Sequence, residues 1–260
     1  MKEDKGTVSY QVDGPIATIT LSRAGKRNSM TQKMFAELDA IVRRARGEED
    51  LRVLLIRGGE GTFCAGDDLA ELSSMDPSKA RDFIIRAQGT FTSLEALSCP
   101  VLAAVEGFAL GGGLELALSC DLILAAQGAQ LGLPELNLGI IPGLGGTIRL
   151  PRRTGLGRAR DLIYSGRIVG AEEARDMGLA DAVYRADEFE GKVLEYAGLL
   201  ASKSPAALAL AKSTLNRGMD ASLEAGLALE REAFAYCFTL PDAKEGISAF
   251  LEKRKPVFGK

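Results

Sequence analysis

Strict alternation of apolar and polar residues marks the start of the chain. Residues 7–13 alternate in this way, and residues 16–21 do so again after a Gly-Pro turn, which predicts a hairpin with one buried face. Residues 32–46 then carry apolar side chains at helical spacing behind a threonine N-cap. The short apolar run at 53–56 ends at two glycines, as expected for a strand buried on both faces.

The most apolar part of the chain repeats this order. Residues 80–97 have helical spacing and stop just before a proline. The continuous apolar run at 101–105 predicts a buried strand, and the three glycines at 111–113 predict a tight turn. Residues 114–119 then predict the opening of a buried helix, and 122–126 predict another strand.

A second turn of small residues resembles the glycine turn. Residues 62–69 begin like a strand, turn, and continue into a helix with acidic residues in its first turn. The first N–H groups of a helix have no intrahelical acceptor, so they can hold a negative charge on a ligand. Two such turns could therefore direct two sets of donors at one point. Further on, residues 131–135 predict a strand that runs into a turn near a helix start.

The pattern changes in the last part of the chain. Beyond residue 155 strands nearly vanish, apart from 180–184. Four helical patterns follow, at 186–202, 205–217, 221–239 and 242–253. We therefore divide the chain into a mixed α/β part, 1–200, and an all-helical part, 201–260. Amphipathic helices at a chain end either cover their own domain or pack on another subunit.

Composition narrows the class of protein. The chain has 260 residues, of which 46% are apolar, enough to bury the core of one domain. Its net charge of −3 gives no electrostatic case for a nucleic-acid partner. No long apolar segment follows the charged N-terminus, so we expect neither a signal peptide nor a membrane span. Four widely spaced cysteines without a CxxC pair are typical of reduced core thiols in a cytoplasmic protein.

Histidine is missing from the sequence. Its absence excludes every Ser-His-Asp or Cys-His mechanism and the commonest metal ligand, and we expect no metal site. Carboxylates, lysines, tyrosines and backbone dipoles are left for any acid–base chemistry near neutral pH.

Two glutamates stand out for their surroundings. Glu115 and Glu135 each follow a glycine or proline turn at a predicted strand-to-helix junction. An isolated glutamate near a helix start is usually explained by capping or by the helix dipole. Here leucines and alanines surround Glu115, and leucines at 133, 136 and 138 surround Glu135. A carboxylate buried in such a setting is costly unless it acts on a ligand or partner.

A glycine-rich loop, PGLGGT at 142–147, precedes a predicted helix. It lacks the GxGxxG spacing and the lysine of a nucleotide-binding loop, so we interpret it as a turn that packs a helix.

Five segments together resemble one known family. They are Arg23 with Asn28 and Ser29, FCAGDDL at 63–69, EGFALGGGLELA at 106–117, PE at 134–135 with GIIPGLGGT at 139–147, and AFLEKRKP at 249–256. In this order they resemble the enoyl-CoA hydratase/isomerase family, also called the crotonase family, over almost the whole chain. The sequence departs from the family pattern at Ala24, where proline is frequent, and at Ala70, where lysine is frequent.

The resemblance implies a fold and an assembly. The fold is α/β, a crotonase-like spiral of repeated ββα units, with residues 1–200 as the catalytic core. Residues 201–260 would form a helical region that builds homotrimers, commonly paired into hexamers.

The resemblance also implies an activity, enoyl-CoA hydratase. The backbone N–H groups of Asp67 and Gly112 would form an oxyanion hole for the thioester oxygen. Glu115 would deprotonate the water that adds at Cβ, and Glu135, held protonated, would deliver a proton to Cα. Two carboxylates in one apolar pocket cannot both ionise cheaply, so they share a proton.

Coenzyme A would be part of the substrate, and no separate cofactor is implied. The resemblance places adenine against the backbone of Ala65, Gly66, Asp67 and Leu69. The phosphates would lie near Lys26 and Arg27. Phe234 and Lys253 match positions that reach a coenzyme A bound by a neighbouring subunit, although Phe234 could equally be a helix-packing residue.

Other functions stay open at this point. The chain could be an enoyl-CoA Δ-isomerase, or a hydratase of a branched or aromatic acyl-CoA. It could also be a non-catalytic scaffold or CoA-binding protein with an RNA-binding side activity, which the acidic pI and the two glutamates argue against. The sequence leaves the length of the acyl chain undetermined.

Overall fold

The computed structural model describes residues 5–259. The charged residues at 1–4, on which the expectation about a signal peptide partly rests, lie outside the described residues. The strands are β1 (Thr7–Asp13), β2 (Ile16–Ser22), β3 (Val53–Gly58), β4 (Val101–Val105), β5 (Phe108–Leu110), β6 (Leu122–Ala126), β7 (Gln130–Gly132), β8 (Ile168–Gly170) and β9 (Ala182–Tyr184).

Helices separate and follow these strands. They are α1 (Gln32–Ala45), α2 (Leu69–Ser73), α3 (Pro77–Glu95), α4 (Gly112–Leu118), α5 (Gly146–Thr154), α6 (Leu156–Ser165), α7 (Ala171–Asp176), α8 (Phe189–Ala201), α9 (Pro205–Met219), α10 (Leu223–Cys237) and α11 (Pro241–Leu251), with a 3-10 helix at Glu135–Leu138. No helix within residues 5–259 is long and apolar enough to cross a membrane.

Two sheets organise the mixed part of the chain. The larger has the order β1-β2-β3-β4-β6-β9, with an antiparallel β1–β2 pair and parallel pairs elsewhere. The smaller has the order β5-β7-β8, with β5 and β7 parallel. Two successive strand pairs, β4–β5 and β6–β7, each give their first strand to the large sheet and their second to the small one, and helices follow each pair, which confirms the α/β class.

The local signals in the sequence account for the elements at the start of the chain. The β1–β2 hairpin has the predicted limits within one residue, and α1 ends one residue before the predicted end. Thr31 caps α1 because its side chain accepts a hydrogen bond from the amide of Met34. Asp76 caps α3 in the same way, so this helix begins at Pro77, three residues before the predicted start.

Two short strands differ from the prediction. The strands β5 and β8 were not predicted, so the expectation that strands vanish after residue 155 except at 180–184 is wrong for Ile168–Gly170. Each has three residues, too few to show a period in the sequence. The predicted strand that runs into a turn over 131–135 is confirmed, because β7 ends at Gly132 and a 3-10 helix begins at Glu135.

The carboxyl ends of β3 and β4 lead into the two turns that the sequence singled out. Cys64 pairs with Ala109 as an isolated parallel bridge, so the segment after β3 joins the edge of the small sheet. This pairing holds residues 63–68 beside residues 108–112. Three of the four cysteines are buried, and all four are free thiols, as predicted.

The last three helices, α9, α10 and α11, make few contacts with the core. Lys212 on α9 is an exception, because its Nζ donates to the carbonyl of Cys99 at 3.0 Å and to Asp121 Oδ2 at 2.7 Å. Along α10 no residue is buried, and large apolar side chains there and on α11 face outward, including Leu223, Phe250 and Leu251. The division at residues 200 and 201 stays a prediction.

Candidate functional site

The turn around Asp67 and the turn around Gly112 touch each other. A Cβ atom placed on Gly66 would lie 3.8 Å from the backbone nitrogen of Gly112. The amides of Asp67 and Gly112 have no hydrogen-bond acceptor among residues 5–259. The structure therefore presents two unpaired backbone donors next to each other.

Contacts on both sides hold the Asp67 turn. The amide of Met30 donates to the Gly66 carbonyl at 2.8 Å, and the amide of Asp68 donates to the Met30 carbonyl at 2.9 Å. The Asp68 carboxylate receives a hydrogen bond from Arg23 at 2.6 Å and also caps α2. Burial would raise the pKa of Asp68, but the hydrogen bonds from Arg23 and the Glu71 amide outweigh it and hold that pKa below its usual range.

Close packing against the Asp67 carboxyl favours glycine at position 112. A Cβ atom there would lie 2.5 Å from Oδ1 of Asp67, closer than real Cβ contacts come. Its neighbour Gly111 has a φ of 51°, in the left-handed region that favours glycine. The glycine turn is thus shaped around the Asp67 side chain.

Glu115 lies in the first turn of α4 and is only 1% exposed. Its Oε1 accepts hydrogen bonds from the amides of Leu144 and Gly146, both at 2.7 Å. Burial raises the pKa of Glu115 to about 7, although these two amides and the charge of Arg149 oppose the rise. A carboxyl with this pKa can hold or release a proton near neutral pH.

Glu135 begins the 3-10 helix and is 9% exposed. Neither of its carboxyl oxygens has a hydrogen-bond partner among the described residues. Burial raises the pKa of Glu135 to about 7, the nearby N–H of its own backbone opposes the rise, and the charge of Glu115 adds to it. The expectation that Leu136 and Leu138 shield Glu135 is wrong, because both are exposed and only Leu133 is buried.

Asp67 adds a third carboxyl group to this site. Its Oδ1 is shielded from solvent and has no hydrogen-bond partner among residues 5–259. Burial and the charges of Glu115 and Glu135 raise the pKa of Asp67 to about 8. From the sequence we expected a role only for the backbone N–H of Asp67. The apolar surroundings of its side chain could not be predicted, because distant segments create them.

Asp67→Asn is expected to stabilise the protein at alkaline pH. A carboxyl whose pKa rises on folding contributes stability that is present below its unfolded pKa and is lost as pH rises through the folded value, here about 8. Asparagine cannot ionise, so the variant should exceed the wild type in free energy of unfolding at pH 9 and match it near pH 4. Urea unfolding across this range measures the difference. Equal stabilities at pH 9 would contradict the pKa shift.

The predicted coenzyme contacts fall into two groups. Lys26 and Arg27 are exposed, and the amide of Ala65 donates to the Arg27 carbonyl at 3.0 Å, so these two loops are adjacent. Leu69 at the start of α2 is 56% exposed beside them. Phe234 and Lys253 lie elsewhere, on α10 and just after α11, and both are exposed.

Sequence reasoning missed the role of the loop at 142–147. The sequence indicated a turn that packs a helix. In the structure the amides of Leu144 and Gly146 in this loop also donate hydrogen bonds to Glu115. The run of glycines was the available signal, since small residues let a backbone approach a side chain closely. Its target could not be identified because Glu115 lies 29 residues away from Leu144 in the chain.

The arrangement can hold a developing negative charge at the two free amides and move protons through a pair of buried carboxyls. Glu115 and Glu135 repel each other when both are ionised, so one shared proton would make one group an acid and the other a base.

Comparisons with known proteins agree on one family. The family model for enoyl-CoA hydratase/isomerase matches residues 11–260. Short-chain-enoyl-CoA hydratase of Clostridium acetobutylicum is 39% identical over 249 residues, covering 95% of each chain. Crotonyl-CoA hydratase of Syntrophomonas wolfei is 39% identical over 244 residues, covering 94% of each. A crystal structure of enoyl-CoA hydratase from Bacillus anthracis superposes with a TM-score of 0.93 at 40% identity, covering 96% of this chain and 98% of that one.

Proposed function

The chain belongs to the enoyl-CoA hydratase/isomerase family, and we propose that it catalyses the addition of water across the double bond of a 2-enoyl-CoA thioester. The observation that carries this proposal is the meeting of two buried glutamates with two unpaired backbone amides. The relatives named as short-chain-enoyl-CoA and crotonyl-CoA hydratases support it.

In the proposed mechanism the thioester oxygen accepts hydrogen bonds from the amides of Asp67 and Gly112. When water adds at Cβ, negative charge develops on this oxygen as an enolate forms. Donors that are already in place stabilise that charge without reorganising, and losing one such donor typically raises the barrier by about 3 kcal/mol.

The two glutamates would divide the proton transfers. Glu115, held by amides of the loop at 142–147, is oriented to act as the base that removes a proton from the attacking water. Glu135, whose carboxyl oxygens accept no hydrogen bond from any residue between 5 and 259, is suited to hold a proton and deliver it to Cα. The substrate gains a hydroxyl group at Cβ and a proton at Cα, which together equal one water molecule.

Substrate binding is proposed along the adjacent loops. Adenine would lie against the backbone of Ala65 to Leu69, with the phosphates near Lys26 and Arg27, and no cofactor besides the coenzyme A of the substrate would be used. Both cations are exposed, and neither forms an ion pair among the described residues, so both can contact phosphate. Phe234 and Lys253 would contact a coenzyme A bound to a neighbouring subunit.

Product analysis tests the proposed activity. The purified chain is incubated with crotonyl-CoA and with longer, branched and aromatic 2-enoyl-CoA esters, and the products are analysed by mass spectrometry. We expect a gain in mass of one water for at least one ester. Rearrangement without a mass gain would indicate an isomerase instead, and no turnover of any ester would indicate a CoA-binding or scaffold role.

We also propose that residues 201–260 form an oligomerisation region that builds a trimer or a dimer of trimers. The support is the set of exposed apolar side chains on α10 and α11, among them Leu223, Phe250 and Leu251, which a neighbouring subunit would cover. Sedimentation equilibrium should give a mass of three or six chains, and a monomeric mass would contradict the assembly.

A further inference from the structure

We propose that Arg149, anchored by Glu95, and Gln88 are positioning residues that hold Glu115 in place through the peptide groups of the loop at 142–146. This inference rests on the proposed function, because it concerns the base of that reaction. None of these three side chains forms a hydrogen bond with Glu115: Gln88 and Arg149 donate to backbone carbonyls of the loop, and Glu95 holds Arg149.

The first connection runs through a single peptide group. Gln88 on α3 donates from Nε2 to the Gly143 carbonyl at 2.7 Å. The amide on the other side of the same peptide bond, that of Leu144, donates to Glu115 Oε1 at 2.7 Å. Hydrogen bonds in series polarise one another, so the bond from Gln88 both fixes this amide and strengthens its bond to the carboxylate.

A second connection runs through the next peptide group and begins at a charged side chain. Arg149 on α5 donates from Nη1 to the Leu144 carbonyl at 2.9 Å. The following amide, that of Gly145, is among the groups that lower the pKa of Glu115. The amide of Gly146 then donates directly to Oε1 at 2.7 Å. Two amides of this loop therefore donate to one carboxylate oxygen, and the Gly145 amide lies between them.

Arg149 is itself fixed by the last residue of α3. Its Nε and Nη2 donate to the two carboxylate oxygens of Glu95, each at 2.7 Å. A bidentate pair of this kind defines the plane and direction of the guanidinium. Because Gln88 and Glu95 belong to one helix, α3 holds the loop at two neighbouring carbonyls.

The charges around Glu115 define the expected pH effect. Asp67 and Glu135 lie near it and disfavour its ionised form, while Arg149 favours it, with Glu95 behind Arg149. Loss of Arg149 should therefore raise the pKa of Glu115 and leave the carboxyl less well aimed. The base would then be ionised only at higher pH.

Arg149→Met, Arg149→Lys and Gln88→Met test the proposal in a steady-state assay with crotonyl-CoA. For Arg149→Met we expect kcat at pH 7 to fall about tenfold to a hundredfold. KM should change less than about threefold, because the variant loses the orientation of the Glu115 carboxyl and keeps the substrate contacts. The acid limb of kcat/KM should move up by about one pH unit. Arg149→Lys should lie between this variant and the wild type, and Gln88→Met should lower kcat severalfold.

Arg152→Met is the matched control. Arg152 is three residues further along α5 and pairs with Asp220 at the surface at 3.0 Å. It should match the wild type in kcat and in pH profile. A purely structural role for Arg149 would lower the melting temperature without moving the acid limb, and that result would overturn the proposal. Unchanged kcat in Arg149→Met would overturn it as well.

A readout without turnover separates this proposal from the proposed function. The protein is labelled with carboxyl-¹³C glutamate, and the Glu115 signal is identified by its loss in Glu115→Gln. We expect the titration midpoint of this signal to be higher in Arg149→Met than in the wild type or in Arg152→Met. An upward shift in a chain that hydrates no ester would uphold the positioning role and reject the hydratase, whereas an unshifted midpoint would reject the positioning role.

Discussion

Glu115→Gln is expected to lower kcat for hydration of crotonyl-CoA by about 10³-fold, within the range that a general acid or base contributes. Glutamine has nearly the shape of glutamate, and its Oε1 can still accept the amides of Leu144 and Gly146. The substitution therefore removes the base and keeps its hydrogen bonds. KM should change little, because the lost proton transfer belongs to the transition state.

Glu135→Gln should lower kcat by a similar factor through loss of the acid. The two variants are expected to be non-additive, since the glutamates act in one reaction step, so the double variant should be little worse than either single one. If neither single change lowers hydration by at least about a hundredfold, the acid–base assignment fails.

Stability measurements show whether these variants are folded. Each glutamate has a pKa raised on folding to about 7, so its stability contribution is present below the unfolded value and is lost as pH rises through 7. Glutamine does not ionise, and each variant should therefore be more stable than the wild type at pH 8, by on the order of 1–3 kcal/mol. An inactive variant that is less stable at pH 8 would indicate misfolding.

Arg23→Met is the second substitution with a large expected effect, here on folding. Arg23 is 2% exposed, and its ion pair with Asp68 at 2.6 Å is buried. Removing one partner of a buried pair leaves an uncompensated charge, which typically costs about 3–5 kcal/mol. Methionine keeps much of the apolar stem, so the measured loss should mainly report the charge. Urea unfolding at pH 7 measures it.

The pH dependence of this loss identifies its origin. The pKa of Asp68 is lowered on folding, so its stability contribution is present above the unfolded value and is lost as pH falls through the folded one. The difference between wild type and Arg23→Met should therefore shrink as the carboxyl becomes protonated at acid pH. A difference that is constant from pH 7 to pH 3 would assign the effect to packing instead.

A surface pair provides the comparison. Arg175 pairs with Glu172 at 2.7 Å, and both side chains are about half exposed. Arg175→Met should change the free energy of unfolding by less than about 1 kcal/mol. Adding Asp68→Asn to Arg23→Met should recover part of the lost stability, because it removes the unpaired charge. No recovery would contradict the ion-pair explanation.

Long elements could be predicted from the sequence because their signals are local. The β1–β2 hairpin shows a period of two, and α1, α3 and α8 to α11 show helical spacing, with a cap or a proline at the start of each of these helices except α8. The short strands β5 and β8 could not, since three residues carry no period and each strand forms by pairing with β7.

The candidate site was predictable in part. Both glutamates, the turn around Asp67 and the turn around Gly112 were identified from their apolar sequence neighbours and from the family resemblance. Three features were not identified. The Asp67 side chain as a third carboxyl, the amides of Leu144 and Gly146 at Glu115, and the support from Gln88, Glu95 and Arg149 all depend on contacts between distant segments. Spacing along the chain does not encode such contacts.

By itself the sequence determined that this protein is an α/β member of the enoyl-CoA hydratase/isomerase family, that histidine chemistry is excluded, and that Glu115 and Glu135 are unusual carboxyls. Periodicity and motifs record these properties residue by residue. Only the tertiary structure decided that three carboxyls share one buried site and that α3 holds the loop facing Glu115. The physical reason is that pKa values and hydrogen-bond partners depend on burial and distance, which arise only when distant segments pack together.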